Sequence, residues 1–173
     1  ANKQGRIAAD NICGGNSRFH GSQGSSVLKL FGLTAASTGI NEKAAQAAGI
    51  TYDKVVLFPA SHAAYYPGAR SMTMKVLYEK ESLRLLGAQI VGGDGVDKRI
   101  DVLATAIRAK MTALELTELD LSYAPPYSSA KDPVNMAGFM IEDLESEKVR
   151  QFHWNDVEDL PCDGSATLLD VRT

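Results

Sequence analysis

The sequence predicts an α+β domain, an antiparallel sheet with helices packed on one face. Three observations carry this. Apolar residues alternate over residues 72–78, with Met72, Met74, Val76 and Tyr78 on one side and Thr73, Lys75 and Leu77 on the other. That period of two is the mark of a strand. A polar turn, Glu79-Lys80-Glu81-Ser82, then leads into a second apolar run over residues 83–91, as in a hairpin. Past the Gly92-Gly93-Asp94-Gly95 break, Ile100, Leu103, Ala104, Ile107 and Met111 recur at helical spacing. Strands followed by helices favour an α+β arrangement over a βαβ one.

Each element has a local reason. Residues 3–14 present Ile7, Ala8, Ala9 and Ile12 on one helical face, ended by Gly14-Gly15. Residues 15–24 are rich in Gly, Asn, Ser and Gln and read as a loop. Residues 26–37 form a strand pair or one bent strand, with a bulge or close backbone approach expected at Gly32. Asn41 opens a short alanine-rich helix that Gly49 caps. Val55-Val56-Leu57-Phe58 is a strand stopped by Pro59, and residues 62–69 are a loop. Residues 97–111 are a helix. Thr112 and Glu115 fit the capping box of a second, shorter one that ends before Ser122. Three prolines within residues 123–135 then forbid regular structure until Asp132 caps a helix whose first residue is Pro133. That helix runs to about residue 147, with Val134, Ala137, Ile141 and Leu144 inward. Residues 151–164 are loop-like, with a turn of helix at 155–160, and residues 166–171 read as a new strand. A domain boundary is expected at 148–155.

Composition narrows the function. The 173 residues carry a net charge of −3, with no basic surplus for nucleic acid. Apolar runs stop well short of the ~20 residues that span a bilayer. Both ends read as cuts through a longer chain. Cys13 and Cys162 match no metal or redox spacing and are expected to be reduced thiols of a cytoplasmic protein.

Motifs narrow it further. Neither Gly-x-Gly-x-x-Gly nor a phosphate loop is present. Asp97, at the start of the helix after Gly95, would repel a phosphate. His20, His62 and His153 are scattered, so no metal site is expected. Asp97, Lys98, Arg99 and Asp101 read as a solvated helix face, with Arg99 the candidate for a phosphate. Lys131 and Asp132 could hold the proline loop by an ion pair, although a surface pair is worth little. Tyr65 and Tyr66 precede Pro67, and Tyr123 and Tyr127 flank Pro125-Pro126. Such tyrosines serve either an interface or a site into which their hydroxyls donate.

The combination resembles a known family. Residues 1–12 resemble the helix after the second FAD-contacting segment of pyridine nucleotide-disulfide oxidoreductases. His62-Ala-Ala-Tyr-Tyr-Pro-Gly68, Asp97-Lys-Arg-Ile-Asp-Val-Leu103 and the 123–135 segment are similar to the C-terminal dimerisation domain of their coenzyme A-disulfide reductase and NADH oxidase branch. Leu168-Leu-Asp-Val-Arg-Thr173 resembles the first strand of a rhodanese domain, as in fused persulfide reductases. The resemblance implies three parts: the end of an FAD domain with its linking loop (1–24), a dimerisation domain (25–147), and a linker with the start of a rhodanese-like α/β domain (148–173). It implies a homodimer whose longer polypeptide uses FAD and NAD(P)H to reduce a CoA-disulfide, persulfide or polysulfide, with NADH oxidase as the alternative. It implies that Tyr65 and Tyr123, with Tyr127 next, are supplied to the partner's redox cysteine, and that Asn2, Lys3 and Ala124 contact cofactor. Neither Cys13 nor Cys162 falls at the nucleophile position, and the histidine-proline pair of the glutathione-reductase branch is missing. By itself the chain is expected to be an inactive dimerisation module.

Overall fold

The computed structural model describes residues 2–167 and 169. In chain order the elements are α1 (Asn2–Ile12), β1 (Ser26–Leu30), β2 (Leu33–Gly39), α2 (Glu42–Ala47), β3 (Tyr52–Leu57), β4 (Met72–Glu79), β5 (Leu85–Gly92), α3 (Val96–Arg108) and α4 (Pro133–Glu145). The five strands form one antiparallel sheet in the order β1-β2-β5-β4-β3.

The alternation of β4 sets the layers. Met72, Met74, Val76 and Tyr78 are fully buried, and Thr73 between them is exposed. Their face joins Ala88 and Ile90 of β5, Ile100, Leu103 and Ala106 of α3, and Val134, Ala137 and Ile141 of α4 in one core. At the edge of that core the Tyr78 hydroxyl donates to Glu145 Oε1 at 2.8 Å and ties the sheet to the end of α4. Burial, then the hydrogen bond to Glu145, pushes this phenol far above its ordinary range. On the opposite face, Glu42 of α2 accepts from Lys54 at 2.6 Å and from Lys75 at 2.9 Å. Burial pushes the Glu42 carboxyl up, but the two lysines outweigh it and hold the group at about 2.

Local signals were mostly followed. Asn41 Oδ1 accepts from Ala44 N at 2.9 Å. Gly49, at φ +66°, closes α2 with bonds from Gly49 N to Gln46 O and from Ile50 N to Ala45 O. That pair is the Schellman pattern. Residues 26–37 resolve as a hairpin. Gly32 lies in its turn, with nothing within 4 Å of where a Cβ would stand. The expected bulge is therefore a turn, and the left-handed residue is its neighbour Phe31 at φ +51°. The helix expected from Thr112 shrinks to a 3₁₀ turn, Leu114–Leu116, although the Thr112–Glu115 box forms. The reason is a tertiary tether: Ala113 N donates to Leu83 O at 2.7 Å and pins the segment beside the sheet. After α4 the chain returns to edge strand β3, where Gln151 Nε2 donates to Val56 O at 3.0 Å. A 3₁₀ turn follows at Trp154–Asp159. Half of the strand expected at 166–171, and all of its rhodanese-like motif at 168–173 except Leu169, fall outside the described residues.

Candidate functional site

The site forms where two proline-bearing loops meet the start of α3. The first loop leaves β3 at Pro59 and carries Tyr65 and Tyr66. Its base is fixed by Ser61 N donating to Arg70 O at 2.8 Å and Arg70 N to Ser61 Oγ at 3.1 Å. His62 is buried there, its ring edge-on to Tyr66 at 5.8 Å between centroids. The second loop, residues 123–132, turns at Pro125-Pro126. Tyr127 N and Ser128 N both donate to Ala124 O, at 2.9 and 3.1 Å. Ala63 N donates to Ser128 O at 3.2 Å and joins the loops through backbone.

This places the Tyr65 and Tyr123 hydroxyls 3.4 Å apart, although the residues lie far apart in sequence. Tyr65 is 77% exposed and Tyr123 is 49% exposed, so both phenols face outward. The hydrogen bond to Tyr65 pushes the Tyr123 phenol above its ordinary value. Tyr127 lies on the second loop but outside this hydroxyl contact: it is 70% exposed, and its carbonyl accepts from Arg99 Nη2. Beside the pair lies an open cleft of about 410 Å³, lined by Lys98, Ser122, Tyr123, Ala124, Pro126 and Tyr127 among others. Ala124 thus belongs to the tyrosine site. Asn2 and Lys3 do not. They line a separate cleft with residues 18–25 and the Asp101–Arg108 side of α3.

What holds the loops was missed by reading side-chain types. Arg99 is not on a solvated face; it is 1% exposed. Its Nη2 donates to Asp132 Oδ2 at 2.9 Å, to Ser61 O at 2.9 Å and to Tyr127 O at 3.2 Å, and Nη1 donates to Gly95 O at 3.2 Å. Asp132 pairs with Arg99, not Lys131. The Lys131 ammonium lies 5.1 Å from the centre of the Phe139 ring instead. Asp132 also caps α4, accepting from Val134 N at 3.1 Å, and takes the Ser128 hydroxyl at 2.7 Å. Burial pushes the Asp132 carboxyl up; Arg99, Ser128 and the Val134 amide hold it below its usual range. The one available signal for Arg99 was its register. It lies on the helical stripe of Val96, Ile100 and Leu103, all buried.

Among the described residues there is no cluster of His, Cys, Asp or Glu able to hold a metal, and no helix long and apolar enough to cross a membrane. Cys13 and Cys162 are exposed free thiols, away from the tyrosine loops in sequence.

Residues 26–134 match the family described as the pyridine nucleotide-disulphide oxidoreductase dimerisation domain. The chain is 41% identical over 145 residues to a coenzyme A disulfide reductase of Staphylococcus haemolyticus, covering 83% of this chain and 32% of that one. Among solved structures it resembles reduced Bacillus anthracis CoADR-RHD at 48% identity and TM-score 0.86, covering 91% of this chain and 28% of the other. It resembles a NAD-dependent persulfide reductase from A. fulgidus at 42% identity and TM-score 0.88, covering 91% and 29%. The chain spans about a third of the length of the curated relatives it matches.

Proposed function

Because the chain belongs to the pyridine nucleotide-disulphide oxidoreductase dimerisation-domain family, we propose that it is the dimer-forming, site-completing part of a reductase of CoA-disulfide or persulfide. On this reading residues 25–147 pair with a second copy, residues 1–24 end an FAD domain, and residues 148–173 lead into a rhodanese-like domain. Bound FAD would supply the reducing electrons, taken from NAD(P)H and carried on other domains of the same polypeptide. The placement of the candidate contacts fits a divided role. Asn2 and Lys3 open on one cleft and Ala124 on another. The first two would touch the chain's own cofactor, and Ala124 that of the partner.

The observation that carries the proposal is the meeting of the Tyr65 and Tyr123 hydroxyls on two exposed, proline-bearing loops. A phenol with its ionisation pushed above the ordinary value of about 10 stays protonated at neutral pH. It donates a hydrogen bond to a developing thiolate without adding charge. Thiolate stability governs the rate at which a disulfide opens. Tyr65 and Tyr123 are assigned to the partner's redox sulfur, and Tyr127 to the rim of the same cleft.

The test is Tyr123→Phe in the full-length reductase, assayed with CoA disulfide and NADH. Turnover should fall by roughly a hundredfold, the scale of losing one preorganised donor, with FAD content and dimer unchanged. Wild-type turnover in that variant removes the proposed role.

A further inference from the structure

We infer that Arg99 is the positioning residue for the Tyr65–Tyr123 pair, fastening both tyrosine loops to a single buried guanidinium; this rests on the reading that the pair is the working group. The two hydroxyls cannot hold the loops themselves. Their contact is 3.4 Å long and open to solvent, at the weak end for a hydrogen bond between hydroxyls. The loops are instead joined beneath. Arg99 reaches Ser61 O, upstream of Tyr65, and Tyr127 O and Ser128 Oγ, downstream of Tyr123. Its Nε donates to both Asp132 oxygens, at 3.2 and 3.3 Å, so the second loop is gripped at its end as well.

Two features point to a device built for a planar fork. Ser61 O, Tyr127 O and Ser128 Oγ converge on Nη2, while Nε faces both Asp132 oxygens and Nη1 donates to Gly95 O, so the fork spreads its contacts over three nitrogens held in one plane. A lysine ammonium keeps the charge but has one nitrogen. Gly95, in the left-handed region at φ +67°, passes so close that any Cβ there would strike the Arg99 guanidinium. The backbone entering α3 is thus shaped around this side chain. A buried ion pair is a poor way to gain stability when apolar packing would serve. It is a good way to fix one arrangement of two loops.

The experiment uses the full-length, FAD-loaded reductase carrying tyrosine labelled with ¹³C at Cζ, with Tyr65 and Tyr123 assigned through their Phe variants. Arg99→Lys should lower kcat by roughly ten- to a hundredfold, the scale of a misplacement of about 1 Å. KM and FAD content should change little, and the Tyr123 phenol should titrate closer to an ordinary tyrosine. The rate loss should vanish in a Tyr65→Phe/Tyr123→Phe background, because Arg99 would act only through those phenols. An unchanged Tyr123 titration overturns the inference, as does a full rate loss in the double-Phe background. If Arg99→Lys does not fold, Ser128→Ala removes one partner of the clamp; it should shift the Tyr123 titration the same way by less, and no shift overturns the inference. Should Tyr123→Phe itself leave turnover intact, the catalytic reading falls, and the fastening role is still decided by the titration.

Discussion

Asp132 does two jobs with one carboxylate: it caps α4 and balances Arg99. The two contributions differ enough in size to be separated. An N-cap replaced by alanine costs about 1 kcal/mol. Leaving a buried charge without its partner costs about 3–5 kcal/mol. Asp132→Ala should therefore lower stability to urea by about 4 kcal/mol or more. A loss near 1 kcal/mol would mean that Arg99 finds other compensation. The capping role was legible, because Asp before Pro at a helix start is a local pattern. The charge-balancing role was not. Lys131 is adjacent in sequence and Arg99 is far away, and only the fold reverses that order of proximity.

At the scale of elements, α4 shows how a local preference yields to packing. Gly138 sits inside the helix, where alanine would gain about 1 kcal/mol of propensity. A Cβ there would lie 2.9 Å from Ala113 O and 3.0 Å from Leu116 Cβ. Overpacking costs about 1–3 kcal/mol, and here one obstacle is backbone that Ala113 N anchors to Leu83. Gly138→Ala should lower the melting temperature; a rise would show that the 113–117 segment gives way freely. The same segment explains why the expected second helix is only one turn of 3₁₀. Its capping box is present, but the chain after it is committed to bonds from Asn135, whose Nδ2 donates to Leu116 O and Leu119 O.

For the whole molecule, acid is the informative stress. Glu42 joins α2 to β3 and β4 through Lys54 and Lys75. Its folded value of about 2 lies below the ordinary value of about 4.3. The charged form is favoured by folding, so its contribution is complete above about pH 4.3 and is lost as pH falls toward 2. Asp132, also held low, adds a loss of the same sign. Glu42→Gln should have a lower urea midpoint at pH 6 and a shallower decline between pH 6 and pH 3. A decline parallel to wild type would assign the acid sensitivity elsewhere.

The sequence by itself determined the antiparallel hairpin, the helices α1 to α4, the Asn41 and Asp132 caps, and the two tyrosine loops. Those rest on contacts between residues a few positions apart, where spacing and residue type suffice. Only the tertiary structure decided that Tyr65 and Tyr123 touch, that Ala124 parts company with Asn2 and Lys3, and that Arg99 turns inward. Each depends on where separate segments come to lie in space. Whether a charged side chain is solvated or buried is set by the partners waiting for it, and those partners stand on other elements.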